Sequence, residues 1–461
     1  MSLLRRPNAA AAFWHLTFSP PTRLRFAAHF SSSPHHLPST SGFPFKMPAA
    51  RSPIRVFIAG GSYAGLSAAG NLLDLCEGRN PRMFGEEEYA HHKDHKNISV
   101  EITIADERDG YYHLIGSPLA LADKDFAKKA WVKFTDIPAF DHPSVNFVIG
   151  SVTAVDPAAK TATTIDTVTK EATVHAYDYF FCGTGLRRVW PTVPQSLTKK
   201  QFLIEAEEQI HTVTNARHGV VVVGGGAVGI EMAAELKLVC PNVNVTLAHS
   251  RDKLLSSEGL SDECKDRSLE LLREAGVDVL LNHRLLKSNK VETLDGSIKY
   301  DVEFENGHRL SASEVIMAVS RPTPTTSYLP ESVLTSEGLV KINANLSIAG
   351  ELPNASYHFC AGDAADWPGI KRCGGAMHGG HYAAQNIHQN ILNELTGQEV
   401  KHQVLEVWPP CIGLAIGKKA VASGADGTTY GEDVMQSYFR DDLGWTICWD
   451  YMELGKKTTS V

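Results

Sequence analysis

Twice in this chain an apolar run ends in a glycine turn that opens a helix, and few folds use that arrangement even once. The first copy is Arg55–Cys76, RVFIAGGSYAGLSAAGNLLDLC, and the second is Val220–Leu236, VVVVGGGAVGIEMAAEL. The runs Val56–Ala59 and Val220–Val223 suit strands buried on both faces, and small and leucine-rich residues then recur at helical spacing. Strand, glycine turn and helix in that order aim several backbone N–H groups and a helix N-terminus at an anion, the geometry of a dinucleotide pyrophosphate site. The second copy holds the full G-x-G-x-x-G spacing at Gly224, Gly226 and Gly229. The first runs through Gly60, Gly61, Ser62, Ala64 and Gly65, with Ser62 where the second glycine belongs. Its β-carbon crowds the ligand's approach, while its hydroxyl is a phosphate donor. The repetition makes a chance glycine-rich turn a poor account of either copy.

A chain of 461 residues has room for two or three domains. Hydrophobic content of 43% and charged content of 21% describe an ordinary globular protein. No uninterrupted apolar run reaches the ~18 residues of a transmembrane helix. Residues 1–55 carry seven Lys and Arg and no acid, so the whole-chain charge of -8 leaves -15 on the remainder. An acidic body argues against nucleic acid as a partner. The eight cysteines lack C-x-x-C spacing and read as reduced structural thiols.

In chain order, residues 1–46 are rich in Arg, Ser, Ala, His and Pro, and the first acid is Asp74. That composition fits a mitochondrial presequence. A disordered tail, or an extension upstream of a cytoplasmic start at Met47, are the alternatives. The polar insertion Glu77–Asn97 contains His91, His92 and His95, which read as a solvated loop before a metal site. Ile98–Ala105 alternates like a strand and stops at Asp106, where an acid accepts hydrogen bonds from adenosine ribose hydroxyls; capping the next turn is the other reading. Asn146–Ala176 reads as an antiparallel meander. Tyr177–Cys182 is a buried-strand pattern ending in Gly183-Thr184-Gly185, and Phe202–Arg217 reads as a helix. After the second glycine turn, Val243–Ala248 ends in His249-Ser250-Arg251 with no acid, so a 2′-phosphate is permitted; Arg251 as a solvated charge is the alternative. Ser261–Ala275 is an N-capped helix stopped by Gly276. Tyr357–Asp363, YHFCAGD, is a further buried strand, followed by a helix over Gly374–Ile391. The last sixty residues suggest a small β-containing domain.

Two dinucleotide sites followed by an A-x-G-D strand resemble the two-dinucleotide-binding flavoproteins of the pyridine nucleotide-disulfide oxidoreductase fold. The resemblance implies an α/β protein with FAD in the first cradle and NAD(P)H in the second. Residues 54–216 with 323–400 would bind FAD, 217–322 NAD(P)H, and 401–461 would form the C-terminal domain. It carries the ribose acid to Asp106, the A-T-G turn to Thr184 and Gly185, and the flavin-ribityl aspartate to Asp363, after Gly362. DERDGYYHLIGSPLAL, GGGAVGIEMAAEL and CAGDAADWPGIKRCGGAMHGGHYAAQNI are most similar to the apoptosis-inducing-factor-like branch, with ferroptosis-suppressor-type quinone reductases, some of them mitochondrial. That branch implies a quinone or other small-molecule electron acceptor and peripheral membrane contact. It places Glu231 near the flavin–nicotinamide interface and Lys371 near the flavin. Glu231 is otherwise a helix N-terminal acid favoured by the dipole, and Lys371 a surface lysine. His378 and His381 are read as core or groove histidines.

Disulfide reductases of this fold carry a cysteine pair near the first helices, and here only Cys76 lies between the glycine loop and Asp178. Thiol–disulfide exchange needs an attacking and a resolving thiol, so a diffusing acceptor is expected. A tailoring oxidoreductase acting on a small metabolite and a redox-dependent signalling flavoprotein are the competing readings.

Overall fold

A computed structural model describes residues 52–82, 89–293, 296, 298–319 and 322–457. The stretch read as a presequence or disordered tail, residues 1–46, lies outside the described residues.

The strand Ile54–Ala59 is buried from Val56 onward and sits inside a sheet, hydrogen-bonded in parallel to Val100–Asp106 on one side and Tyr179–Cys182 on the other. His358–Cys360 extends the sheet beyond Tyr179–Cys182, also in parallel. Beyond Val100–Asp106 lies Val145–Asp156, which does two jobs. Its first residues pair in parallel with Ile102–Asp106, and from Gly150 onward it pairs antiparallel with Thr161–Asp166, which pairs with Ala172–Ala176. The meander expected over residues 146–176 is therefore continuous with the sheet that carries the first glycine turn. Two helices lie together on this sheet: Tyr63–Cys76, buried along its whole length, and Cys373–Thr396. Gly380 lets them touch, since a β-carbon there would stand 2.3 Å from the Ala64 carbonyl oxygen. Ser67 Oγ donates to the Met377 carbonyl at 2.7 Å across the same contact.

The second glycine turn repeats the plan on a smaller parallel sheet, in which Val220–Val223 is flanked by Val245–Ala248 and Glu314–Met317. The helix Asp262–Glu274 follows, its N-terminus capped by Ser261 Oγ accepting from Cys264 N at 3.2 Å. Residues 412–431 form a three-stranded antiparallel sheet. Ile412, Leu414, Ile416 and Val421 join the same apolar cluster as Val220, Val222, Ile230 and Trp131. The C-terminal segment thus shares a core with the segments before and after the second glycine turn. Among the described residues no helix is long and apolar enough to cross a membrane.

Candidate functional site

The two glycine turns superpose bond for bond. Gly60 N–H donates to Ala105 O at 2.8 Å and Gly224 N–H to Ala248 O at 2.9 Å. Gly60 and Gly224 hold φ of 102° and 124°, which a side chain rarely adopts. A β-carbon on Gly65 would lie 1.8 Å from Gly60 O, and one on Gly229 1.9 Å from Gly224 O. These glycines draw each helix tightly against its strand. No side chain caps either helix. The first backbone bonds are Leu66 N to Ser62 O and Ile230 N to Gly226 O, so the N–H groups before them are left for an anion. At Gly226 a β-carbon would meet nothing within 4 Å, so the space before the second helix is open. Ser62 occupies the corresponding place with an extended backbone, and its hydroxyl makes no capping bond. Both turns therefore fit a pyrophosphate.

Of the two readings of Asp106, the structure shows the turn cap, together with a bond to the glycine loop. Its Oδ2 accepts from Gly61 N–H at 2.7 Å and its Oδ1 from Arg108 N–H at 2.8 Å, so it ties the strand tip to the glycine loop and closes the next turn. Burial raises its pKa, while Arg108 and the backbone donors oppose that. Gly183 N–H donates to Ala59 O at 2.8 Å, bringing the Gly183–Gly185 turn onto the first loop. Thr184 Oγ1 donates to Thr325 O at 2.9 Å and stands 3.1 Å from Tyr328 OH, so its hydroxyl holds the turn in place.

Gly362 packs against Ala64, and Asp363 follows it in a half-buried position. Burial raises the Asp363 pKa, against the opposing charges of Arg188 and Lys371. Arg188 Nη2 stands 3.8 Å from Asp363 Oδ2, too far for a hydrogen bond, so the carboxylate remains available to a ligand hydroxyl. Lys371 is not a free surface lysine: its ammonium donates to Ala365 O, and burial lowers its pKa against the pull of Asp363. Asp363 and Lys371 stand just before the helix that begins at Cys373.

Glu231 is not in the first turn of its helix, which removes the dipole explanation. Its Oε1 accepts from Ala415 N–H at 3.2 Å, and burial pushes its pKa up to about 8. One turn on, Glu235 is only 2% exposed, its Oε1 has no hydrogen-bond partner, and burial followed by the Glu231 charge raises it to about 8 as well. At the tip of the second cradle, His249 Nδ1 accepts from Gly225 N–H at 3.1 Å, and exposed Arg251 donates to Ser256 Oγ at 3.3 Å. His378 and His381 are buried core residues; the latter bonds Asn71 and Gln385. His91 is half-buried, stacked edge-on against Tyr89 and His388, so the insertion is not wholly solvated. Among the described residues no cluster of His, Cys, Asp and Glu suits a metal ion.

Sequence distance concealed two cysteine pairings. Cys182 and Cys360 are register partners on adjacent strands that end in the Thr184 and Asp363 turns. Hydrogen bonds from Cys360 first, then Tyr328 and Thr184, draw the Cys182 thiol down to about 7 against burial. Cys373 hydrogen-bonds Cys448, 75 residues further along the chain. All eight cysteines are free thiols. The missed acid was Glu235, whose signal was its place one turn after Glu231 on a mostly apolar helix.

Comparison with known proteins agrees with this geometry. Residues 54–381 match the family profile described as pyridine nucleotide-disulphide oxidoreductase. The chain is 49% identical over 410 residues to Oxidoreductase OXR1 of Ajellomyces capsulatus, covering 88% of each protein. It is 25% identical over 405 residues to human Ferroptosis suppressor protein 1, covering 87% of this chain and 96% of the relative. Among solved structures, NDH2 from Plasmodium falciparum aligns with a TM-score of 0.60 at 12% identity, covering 88% of this chain and 98% of that one, a likeness of fold.

Proposed function

The chain belongs to the pyridine nucleotide-disulphide oxidoreductase family, and we propose that it is an FAD-dependent NAD(P)H oxidoreductase that delivers electrons to a quinone-like acceptor. The observation that carries the reading is the bond-for-bond duplication of the glycine turn, with an open helix N-terminus at each copy. When bound, the two cofactors supply the electron-pair donor and acceptor rings, and the protein supplies placement and electrostatics. Ser62 and the helix behind it hold the FAD pyrophosphate, Asp106 orders the adenosine end, and Asp363 accepts a ribityl hydroxyl. Lys371 sets a positive charge beside Asp363 and offsets negative charge in that pocket. Gly226 opens the second helix to the NAD(P)H pyrophosphate. Glu231, its pKa raised by burial, stands in the second turn of that helix with its Oε1 accepting from Ala415 N–H.

The quinone part of the reading rests on the resemblance of residues 106–121, 224–236 and 360–387 to ferroptosis-suppressor-type proteins. The thiol alternative is weaker, because neither cysteine pairing lies on the first helix beyond the glycine loop. Anaerobic mixing tests the proposal: NADH or NADPH should bleach the yellow protein, and a short-chain ubiquinone analogue should restore the colour. Failure to bleach with both nucleotides overturns the enzyme reading. Recovery no faster with quinone than with buffer overturns the acceptor.

A further inference from the structure

The duplication exposes one difference between the cradles that bears on which nucleotide the second one takes. In the first, the pairing Ala59↔Ala105 puts Asp106 next, and its carboxylate takes the Gly61 N–H. In the second, Val223↔Ala248 puts His249 in the matching place, and its Nδ1 takes the Gly225 N–H. An imidazole therefore does the structural work of the carboxylate without bringing its charge. Because Nδ1 accepts, Nε2 carries the ring proton and donates to Ser256 Oγ at 3.0 Å. A ring whose Nδ1 accepts is neutral, and burial lowers the His249 pKa in the same sense, against a backbone bond to Lys253.

Ser256 Oγ also accepts from Arg251 Nη1, and Ser257 Oγ stands 3.5 Å from the same nitrogen. One side of the guanidinium is thus held by two hydroxyls, and no carboxylate among the described residues pairs with it. The neighbouring cation, Lys253, is occupied by Asp262 at 3.1 Å and Asp266 at 3.5 Å. The only acid between His249 and Ser257 is exposed Asp252, which does not bond the glycine turn.

We infer that the second cradle selects the 2′-phosphorylated nucleotide, NADPH over NADH, with Arg251 as the phosphate-binding residue and the Ser250, Ser256 and Ser257 hydroxyls beside it. A free 2′-hydroxyl finds no carboxylate to accept its proton here, while a 2′-phosphate meets a fixed guanidinium suited to bidentate bonding. The inference rests on the reading of this cradle as the nicotinamide-nucleotide site.

Equilibrium titration of the full-length, flavin-loaded protein tests it without turnover, using NADP+, NAD+, adenosine 2′,5′-bisphosphate and 5′-AMP. The expected result is NADP+ binding at least about tenfold tighter than NAD+, with the bisphosphate preferred over 5′-AMP by a similar factor. Arg251→Ala should erase that preference while leaving NAD+ affinity within about twofold. His249→Asp, which restores the carboxylate, should turn the preference toward NAD+. Equal or tighter binding of NAD+, or an NADP+ preference that survives Arg251→Ala, overturns the inference and leaves the proposed function standing. Failure of both dinucleotides to bind overturns the two together.

Discussion

Gly226→Ala separates what the second glycine turn does for the fold from what it does for a ligand. At Gly226 an added β-carbon meets no atom within 4 Å, and the backbone is at φ −82°, ψ 178°, which alanine adopts freely. The folded chain should therefore lose less than about 1 kcal/mol. A pyrophosphate approaching the open N–H groups meets that methyl directly. Losing one charge-assisted hydrogen bond costs about 1.5–3 kcal/mol, which weakens binding roughly 10- to 100-fold. Gly229→Ala is the contrasting variant, because its β-carbon would stand 1.9 Å from Gly224 O and the helix must move off its strand. That variant should lose stability first. The assay is nucleotide titration beside a thermal melt for both proteins, with bound flavin measured in each. A Gly226→Ala protein that melts normally and binds nucleotide as tightly as wild type would refute the assignment of the turn. So would one that keeps its nucleotide affinity and loses flavin.

The other expectations concern the first cradle and the buried acids. Gly65→Ala forces a β-carbon to within 1.8 Å of Gly60 O and should yield protein depleted of flavin; a normal flavin-to-protein absorbance ratio would contradict this. Glu235 is raised by burial and by Glu231 to about 8, so the stability that accompanies its protonated form is complete below the ordinary carboxyl range and gone above about pH 8. Ionising it within the fold costs up to ~5 kcal/mol at ~1.4 kcal/mol per pH unit, and Glu235→Gln removes that cost. The urea midpoint of Glu235→Gln relative to wild type should climb between about pH 5 and pH 8.5; a difference that stays flat would mean the carboxylate is not buried as described. Asp106→Asn keeps the shape of the Gly61 bond and removes the charge, so adenosine-end affinity should fall by about tenfold, read as faster FAD loss on dilution.

Much of this site was legible in the chain because local rules dictate it. Gly60, Gly65, Gly224 and Gly229 are required wherever a helix packs hard on the strand before it, and Asp106 falls at the tip that the alternation over Ile98–Ala105 identifies. Ser261 and Gly276 marked a helix correctly because cap chemistry is local. What the sequence concealed depends on contacts between distant segments. Lys371 reads as a surface charge until Ala365 and Asp363 are seen around it. Glu231 reads as a dipole-favoured acid until the strand Ile412–Ile416 is laid across it. Cys182 and Cys360 stand 178 residues apart and meet only because their strands are neighbours. The antiparallel meander over residues 146–176 gave no hint that the 12-residue strand Val145–Asp156 also pairs in parallel with Ile102–Asp106, because a change of sheet partner leaves no mark in the alternation.

The simplest decisive measurement is the cofactor content of the purified full-length protein. After heat denaturation and removal of the precipitate, the supernatant should contain about one FAD per chain, identified by its fluorescence and mass. Protein that is colourless as isolated should take up FAD to the same ratio. A chain that neither releases nor takes up FAD would contradict the reading of Gly60–Gly65, Asp106 and Asp363 as one cradle, and the account built on it.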